Sequence, residues 1–362
     1  MSLKCGIIGL ANTGKTTLFN CVANTKIHEQ SGGQKSHMGQ INVPDSRLYA
    51  LDALIHSVRV LHATVDLVDI PGLTKGSGQA ESTSSKFLAE IQQTDALIHV
   101  IRCFDSDTVP HIEGNVNPVR DKEIVDLELC IRDLGMVERK IQRTDKLLKV
   151  GDKDAKKTME ILHIYKAHLE DFKPARTAPV HEEDRKQIAD MYLITDKPVI
   201  YVCNVDDSSA VNGNNYSEKL REAVKDENTE VLIIAAEMEA EIAELEDAED
   251  RAIFLADAGL TEPGVNKVVS SAYRLLNLQS FFTAGPMEVR AWTIHKGMTA
   301  PKAAGVIHSD LERGFIRAEV MHYEDFIKFK TEHACREAGK LFVEGKNYVV
   351  GDGDILHIRF NV

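Results

Sequence analysis

Short apolar segments alternate with longer amphipathic segments over the first half of the chain. The run from Val199 to Cys203 is almost continuously apolar, as in strands that are buried on both faces of a parallel sheet. Together with four similar runs, it predicts strands at residues 3–8, 64–68, 96–104, 198–203 and 231–235. The alternation of these strands with helix-length segments predicts an α/β core with a doubly wound sheet.

Between residues 121 and 176 the pattern becomes long, charged and helical. One apolar stripe recurs every seven residues, and a second stripe follows Gly151. The first stripe is Leu127, Leu134, Ile141 and Leu148, with Ile131 between them, and the second is Met159, Leu162, Tyr165, Leu169 and Phe172. This spacing predicts an antiparallel, coiled-coil-like helical hairpin that projects from the sheet as an arm. The alternative is a helical layer packed on the sheet.

Two later segments differ from the predicted core in composition. Residues 237–250 carry eight carboxylates and no Lys or Arg. Their mixed spacing around a helix predicts one solvated face rather than a metal site. After Leu278, glycines and prolines separate short β-rich runs, which predicts a separate small α+β domain over residues 279–362.

The overall composition is that of a globular protein. The 362 residues are 43% hydrophobic and 27% charged, with a formal charge of −13. These values exclude disordered, collagen-like and low-complexity chains, and the length suggests two or three domains. The acidic balance argues against general coating of nucleic acid, although net charge leaves room for a local basic face.

The chain carries no membrane or export signal that we can identify. No apolar run approaches the roughly 18 residues that a membrane-spanning helix needs, and the N-terminus has none of the features of a signal peptide. The six cysteines are scattered without a C-x-x-C pair. We therefore expect a cytoplasmic protein, mature from its first residue, with free thiols and no membrane association.

A phosphate-binding pattern follows the first predicted strand directly. Residues 9–16 are G-L-A-N-T-G-K-T, which fits the Walker A pattern G-x-x-x-x-G-K-[ST] in its required strand, loop and helix context. Glycines let successive N–H groups turn around phosphate oxygens, and the helix N-terminus adds partial positive charge. We expect Lys15 to reach the β- and γ-phosphates and the Thr16 hydroxyl to bind Mg²⁺.

A second pattern, D-x-x-G, lies at residues 69–72 at the end of the next predicted strand. We expect Asp69 to hold the Mg²⁺ shell through water and the Gly72 N–H to contact the γ-phosphate. Lys15 and Gly72 are thus the candidate catalytic residues. One strand after a Walker A loop, D-x-x-G indicates a switch-type NTPase, in which the γ-phosphate orders a loop.

The loop after the strand at 198–203 is placed where GTPases carry the base-reading motif N-K-x-D. Here the residues are Asn204, Val205, Asp206 and Asp207, so the Lys is missing. Asp207 could still accept from guanine, but Val205 replaces the Lys stem that flanks the base. The S-A-K loop of GTPases is replaced by Ala235-Ala236-Glu237. Guanine specificity is therefore not established by these loops.

Residues able to orient an attacking water are scarce. Leu73 stands where Ras-like enzymes have a Gln, so we expect slow intrinsic turnover. The first switch, residues 31–39, is Gly-rich and polar and contains no Thr, which leaves Ser36 as the candidate second Mg²⁺ ligand. None of the 14 histidines forms a convincing base with a neighbouring nucleophile.

Together these residues resemble the YchF family of Obg-related P-loop NTPases. The similarity lies in G-L-A-N-T-G-K-T-T-L-F-N at 9–20, V-P-D-S-R-L at 43–48, V-D-I-P-G-L-T-K-G at 68–76, K-F-L-A-E-I and D-A-L-I-H-V-I-R-C-F within 86–104, N-V-D-D at 204–207 and E-A-E-I-A-E-L at 239–245. The segments F-F-T-A-G-P-M-E-V-R-A-W-T-I and G-D-G-D-I-L-H-I-R-F-N-V, within 281–362, resemble the TGS domain of that family.

The resemblance implies a P-loop NTPase domain over residues 1–119 and 177–278, a helical arm at 120–176 and a ubiquitin-like TGS domain at 279–362. It also implies that adenine is accepted at least as well as guanine, and that a monomer associates with the ribosome and ribosomal RNA. By the same resemblance, the metal ligand is Thr16, the base-contacting pair is Asn204 and Val205, and the phosphate loop is Asn12, Thr13, Gly14, Lys15, Thr16 and Thr17. Asn12 matches an Asn that places K⁺ in some related NTPases, which implies stimulation of hydrolysis by potassium.

Several positions depart from the pattern of the family. The family usually has Pro and Val where Ala11 and Thr13 stand, Ser at Thr16, Glu at Asp207 and a longer first switch. Thr16 keeps the hydroxyl that binds metal, so we expect nucleotide binding to survive. The altered first switch bears on hydrolysis instead.

Three functions compete on this basis. The first is a slow Mg²⁺-dependent ATPase, with GTP as a further substrate, that binds the ribosome. The alternatives are a GTP-specific GTPase and a nucleotide-dependent binding module with negligible hydrolysis; a metabolic kinase lacks an identifiable acceptor site. Net charge divides unevenly, with −15 on the NTPase body, +2 on the arm and zero on the C-terminal segment, so the arm and that segment are the surfaces suited to RNA.

Overall fold

A six-stranded sheet carries the first three quarters of the chain in the computed structural model, which describes residues 3–23, 37–72, 87–245 and 247–361. The strand order is β2-β4-β1-β5-β6-β7. These strands are β1 Lys4–Ile8, β2 His37–Asn42, β4 Thr64–Asp69, β5 Ala96–Arg102, β6 Val199–Asn204 and β7 Val231–Ile234. All five predicted strands are confirmed to within two residues at each end. Strand β2 was not predicted because its sequence, HMGQIN, contains no apolar run.

The strand pairings explain where a ligand can bind. Strand β1 pairs in parallel with both β4 and β5, and β5, β6 and β7 continue the parallel sheet. Strands β2 and β4 lie on one side of β1, and the later strands β5, β6 and β7 lie on the other, so the strand order reverses beside β1. In open α/β sheets, ligands bind at such a reversal, outside the carboxyl ends of the strands.

The chain divides into two compact units. The N-terminal unit comprises residues 1–39 and 66–268, and the C-terminal unit comprises residues 40–65 and 269–362. The sequence had assigned residues 40–65 and 269–278 to the NTPase domain and residues 120–176 to a domain of their own. In the structure, the helical segment lies within the N-terminal unit, and residues 40–65 lie within the C-terminal unit.

Helices of the N-terminal unit begin at side chains suited to cap them. Asn117 accepts from the Arg120 N–H at the start of α3, with Pro118 at its first position, and Asp152 accepts from two backbone N–H groups at the start of α4. The helices of this unit include α1 Lys15–Ala23, α3 Pro118–Lys149, α4 Lys153–Glu170, α5 Glu182–Arg185, α6 Asn215–Val224, α7 Ala236–Glu244, α8 Ala248–Asp257 and the start of α9 Gly264–Leu275, whose remainder lies in the C-terminal unit. The predicted pair of helices at 121–176 is thus present as α3 and α4.

The buried side of α3 differs from the predicted apolar stripe. Ile131 is 53% exposed, whereas the charged residues Asp126 and Asp133 are buried. Asp133 accepts hydrogen bonds from the Ile194 N–H at 2.9 Å, the Thr195 N–H at 2.7 Å and the Thr195 hydroxyl at 2.6 Å. The heptad pattern missed this side because a carboxylate can be buried when donors surround it.

The acidic segment forms two helices, α7 and α8, rather than one solvated face. Glu239 on α7 is only 3% exposed and accepts a hydrogen bond from the Gly264 N–H at 2.5 Å. Burial raises the pKa of this carboxyl above its ordinary value. The prediction of a wholly solvated face is therefore wrong at Glu239, because a backbone donor compensates for its desolvation.

A second sheet organises the C-terminal unit, in the order β11-β10-β12-β8-β9-β3. Its strands are β3 Val60–Leu61, β8 Leu278–Ala284, β9 Val289–His295, β10 Phe315–Met321, β11 Phe342–Glu344 and β12 Ile355–Phe360, and its helices are α2 Ser46–Ile55, α10 Ala300–Ile307, α11 Ser309–Arg313, α12 Tyr323–Phe329 and α13 Glu332–Glu337. Phe281, Ile294 and Leu356 are fully buried in its core. The α+β composition agrees with the prediction for the last part of the chain.

Two further expectations concern the chain as a whole. All six cysteines are free, and five of them are buried, as predicted. No helix in the part of the chain that the structure describes is long and apolar enough to cross a membrane.

Candidate functional site

The loop between β1 and α1 requires glycine at two positions. Gly9 has φ +148°, and a Cβ there would lie 2.3 Å from the Val100 carbonyl oxygen of β5. Gly14 has φ +89°, and a Cβ there would lie 2.3 Å from Nδ2 of Asn204. Both contacts are far closer than carbon permits, so this loop can pack against β5 and β6 only with glycine.

The side chains of the loop are held by its own backbone and by a neighbouring loop. Lys15 is 6% exposed, and its Nζ donates to the Leu10 carbonyl at 2.6 Å. The Thr13 hydroxyl donates to the same carbonyl at 3.1 Å. Asn12, exposed and in the left-handed region with φ +61°, donates from Nδ2 to the Pro110 carbonyl at 3.2 Å. Thr17 is half-buried in the first turn of α1.

The two predicted metal ligands contact each other. The Thr16 hydroxyl, in the first turn of α1, donates to Oδ2 of Asp69 at 2.9 Å. Asp69 is the last residue of β4 and is buried. The parallel pairing of β1 with β4 places Ile7 opposite Asp69, so the sheet itself brings the D-x-x-G aspartate to the phosphate loop.

Gly72 lies directly against the phosphate loop. A Cβ at this position would lie 2.6 Å from Nζ of Lys15, 2.9 Å from the backbone nitrogen of Ala11 and 3.0 Å from Cα of Ala11. The two candidate catalytic residues, Lys15 and Gly72, are therefore neighbours in space although 57 positions separate them in the sequence.

Asn204 joins three loops at the carboxyl ends of the strands. Its Nδ2 donates to the Thr13 carbonyl at 3.0 Å, and its Oδ1 accepts from the Ala236 N–H at 3.0 Å. Val205 is buried, whereas the Asp207 side chain is exposed at the start of a short 3₁₀ helix, Asp207–Ser209. The structure thus brings Asn204 to the phosphate loop, buries Val205 beside it in sequence and leaves Asp207 at the surface.

Burial and nearby cations lower the pKa of a histidine inside the sheet. His99, in the middle of β5, is fully buried, and its pKa is lowered to about 3. Burial is the main cause, and the cations of Lys122, Arg176 and Lys15 add to it. His99 is therefore neutral at physiological pH and lies with its ring centroid 5.6 Å from that of Tyr201.

One loop near the site carries no phosphate-binding motif and was missed. Pro110 contacts Asn12 through its carbonyl, and the next residue, His111, makes a 2.9 Å contact from Nε2 to Oδ2 of Asp121. Arg120 also donates to Asp121, so the start of α3 holds this loop. Asn117 followed by Pro118 is a helix-start pattern that could have marked where the loop ends.

Two predicted elements lie outside the described residues. Leu73 follows Gly72 immediately, and Ser36 precedes β2, but the structure describes neither. The expectations for the attacking water and for the second Mg²⁺ ligand stay predictions.

Comparisons with known proteins agree along the whole chain. Residues 278–361 match the family YchF-GTPase_C, described as a protein of unknown function, and residues 4–131 match the family MMR_HSR1, described as a 50S ribosome-binding GTPase. The chain is 46% identical to the ribosome-binding ATPase YchF of Haemophilus ducreyi and 43% identical to that of Bacillus subtilis, with 100% of each chain covered. It is also similar to the solved structure of the Schizosaccharomyces pombe YchF GTPase, with a TM-score of 0.87 and 32% identity over 99% of this chain and 98% of that one.

Proposed function

This chain belongs to the YchF family of P-loop NTPases, and we propose that it is a slow, Mg²⁺-dependent ATPase, with GTP as a further substrate, that associates with the ribosome. The contact between the Thr16 hydroxyl and Asp69, at 2.9 Å, carries the proposal. It joins the Walker A loop to the D-x-x-G strand end, which is the arrangement that a nucleoside triphosphate with its metal requires.

The donor set of the site fits Mg²⁺. A hydroxyl and a carboxylate are hard oxygen ligands, and Gly14 and Gly72 line the loop where any Cβ would intrude. Thr16 would hold the ion directly and Asp69 through water. When bound, Mg²⁺ supplies positive charge to the β- and γ-phosphate oxygens. Lys15 would exchange its contact with the Leu10 carbonyl for the same oxygens.

We propose ATP as the preferred nucleotide, with the base held by Asn204, Val205 and Asp207. Support comes from Val205, which lacks the long cationic stem of the Lys in N-K-x-D, and from Asn204, whose amide is already engaged by Thr13 and Ala236. A guanine-specific site would need acceptor groups close to the base, and the Asp207 carboxylate is exposed.

A competition titration tests the assignment of the nucleotide. ATP and GTP are titrated against a fluorescent ATP analogue, with Lys15→Ala to remove the phosphate contact and Lys219→Ala, an exposed lysine of α6, as the matched control. We expect ATP to bind at least as tightly as GTP, and only Lys15→Ala to lose binding. A clear preference for GTP would contradict the assignment of the base site, and failure to bind either nucleotide would contradict the proposed function.

Single-turnover hydrolysis separates an ATPase from a nucleotide-dependent binder. We propose slow turnover that ribosomes and K⁺ accelerate. The role of K⁺ is proposed because Asn12 matches the Asn that places this ion in some related NTPases. Equal rates in Na⁺ and K⁺ buffers would refute the role of potassium. No measurable turnover with or without ribosomes would favour the binding module instead.

We propose that the protein is a cytoplasmic monomer whose helices α3 and α4 project as a coiled-coil arm, while the C-terminal domain is of the TGS type. Both would approach ribosomal RNA. Residues 139–157, where α3 passes into α4, carry eight basic and three acidic residues in a chain of net charge −13. Arg139, Arg143 and Lys146 are exposed on α3 in this stretch.

The contribution of the arm is measurable through the salt dependence of ribosome binding. Changing Arg139, Arg143 and Lys146 to Gln should weaken binding and reduce the slope of log K against log salt by about 2 to 3, since each phosphate contact contributes roughly 0.9. Changing Lys219 and Arg221 of α6 and Lys225, the residue after it, to Gln removes the same charge elsewhere. Equal effects of the two triple variants would refute a contact at the arm.

A further inference from the structure

Two sequence motifs that play no part in the nucleotide site meet in the C-terminal unit. Arg47 belongs to V-P-D-S-R-L at 43–48, and Asp352 belongs to G-D-G-D at 351–354. Arg47 donates from Nη1 to Oδ2 of Asp352 at 2.9 Å and from Nη2 to Oδ1 at 3.3 Å. The same guanidinium also donates from Nε and Nη2 to Asp45, at 2.9 and 2.8 Å.

The surroundings of Arg47 are built to receive a guanidinium. Gly353 has φ +85°, and a Cβ there would lie 2.8 Å from Nη1 of Arg47. The Phe282 ring of β8 lies beneath the guanidinium, with its centroid 5.1 Å from Cζ. Asp352 is fixed in turn, because it also accepts from the Ser280 N–H at 3.0 Å. A planar fork held by carboxylates on two sides and an aromatic face below is a contact that only arginine makes well.

Other contacts fix the rest of residues 40–65 to the same unit. Strand β3 pairs in parallel with β9, so that Val60 lies opposite Val289. The Val58 N–H donates to the Pro286 carbonyl at 3.1 Å, and Arg59 forms an ion pair with Glu288 at 2.9 Å. This segment is therefore an integral part of the C-terminal unit rather than a loop of the NTPase domain.

The position of the segment in the chain gives these contacts their significance. Residues 40–65 lie between the first switch predicted at 31–39 and the D-x-x-G strand. Strand β4 starts at Thr64, whose carbonyl accepts from the Thr293 hydroxyl at 3.3 Å, and it ends at Asp69, which we propose as a metal ligand. An extended strand of six residues can change little in length, so a displacement of one end also displaces the other end.

We propose that residues 40–65 form a tether that couples nucleotide binding at Thr16 and Asp69 to the state of the C-terminal unit. Arg47 is the positioning residue that anchors this tether. The proposal rests on the proposed function, because it needs a nucleotide to bind. The coupling is reciprocal. If nucleotide changes the affinity of the C-terminal unit for a partner by some factor, that partner changes the affinity for nucleotide by the same factor.

Hydrogen–deuterium exchange of the full-length protein tests the tether without any partner. A slowly hydrolysed ATP analogue with Mg²⁺ should change the exchange of peptides from 278–295 and 350–361 at least twofold. Arg47→Gln should abolish this response while changing the dissociation constant of the analogue by less than threefold. Arg47→Lys keeps the charge without the fork and should give a partial response. Arg313→Gln removes an exposed arginine of the same unit, paired with neighbouring Asp310, and should respond as the wild type does.

The outcomes distinguish the tether from a merely stabilising ion pair. If Arg47→Gln lowers the melting temperature but keeps the full response in the C-terminal peptides, the proposal is overturned. It is also overturned if nucleotide binds to the wild type and those peptides do not respond. If Arg47→Gln does not fold, Asp352→Asn breaks the same contact from the other side and must abolish the response. Failure of the wild type to bind nucleotide would instead refute the proposed function, and the tether with it.

Discussion

Gly72→Ala is the sharpest test of how the D-x-x-G strand end meets the phosphate loop. The added Cβ would lie 2.9 Å from the nitrogen and 3.0 Å from Cα of Ala11, where ordinary contact begins at about 3.4 Å. It would also lie 2.6 Å from Nζ of Lys15. The lysine can swing away, but the two backbone atoms cannot, so residue 72 and the phosphate loop must separate by several tenths of an ångström.

Overpacking of this kind costs about 1 to 3 kcal/mol. If the separation has to be reversed when nucleotide binds, the same free energy appears as a loss of ATP affinity of about 5- to 150-fold. The loss should be greatest for ATP and its analogues, because the Gly72 N–H is expected to contact the γ-phosphate, and smaller for ADP. Equilibrium titrations with fluorescent ATP and ADP analogues measure both affinities.

Gly135→Ala is the matched control. This glycine lies inside α3, and a Cβ there would meet nothing within 4 Å. The substitution should leave nucleotide affinity unchanged and stabilise the protein by about 0.5 to 1 kcal/mol, because alanine favours helix. If folded Gly72→Ala binds ATP within twofold of the wild type, the close approach between Gly72 and the phosphate loop plays no part in binding.

Three other changes test separate contacts. The pKa of His99 is lowered to about 3 in the folded protein, so as the pH falls the unfolded chain takes up the proton first. The free energy of unfolding, measured with urea, should therefore fall by about 2 kcal/mol between pH 7.5 and 5. His99→Gln should remove this acid sensitivity, and an unchanged pH profile in the variant would contradict the assignment. Asp133→Ala leaves three buried donors without an acceptor, at a cost of about 3 kcal/mol. The melting temperature should fall by about 6 to 12 °C, and a shift below 2 °C would be incompatible with those contacts. Asn204→Ala removes the bridge between the Thr13 carbonyl and the Ala236 N–H and should weaken ATP and GTP binding alike, by about tenfold. A loss confined to GTP would contradict this, because it would make the Asn204 contact specific for guanine.

The relative positions of Lys15, Thr16 and Asp69 could be anticipated from local patterns in the sequence. Lys15, Thr16 and Asp69 belong to patterns whose geometry is set locally, by a glycine turn at a helix N-terminus and by the last residue of a strand. The contact between Thr16 and Asp69 then follows from parallel pairing of two neighbouring strands. The apolar runs likewise predicted five of the six strands of this sheet to within two residues, because each run reflects burial within one strand.

The predictions that differed depend on partners far away in the sequence. Asp133 and Glu239 look solvated in a one-dimensional pattern. Donors from Ile194 and Thr195 make the burial of Asp133 tolerable, and the Gly264 N–H does so for Glu239. The loop beside Asn12 carries no motif, because a backbone carbonyl, that of Pro110, makes the contact.

The amino-acid sequence by itself determined the phosphate-loop pattern, the α/β core and the helical pair, because each follows from periodicity or from a short motif acting within one strand, turn or helix. Only the tertiary structure decided that residues 40–65 belong to the C-terminal unit. Arg47 and Asp352 are 305 positions apart, and nothing in the local pattern of either one indicates the other. Hydrophobic periodicity records which side of an element is buried, whereas long-range ion pairs and hydrogen bonds determine which element it is buried against.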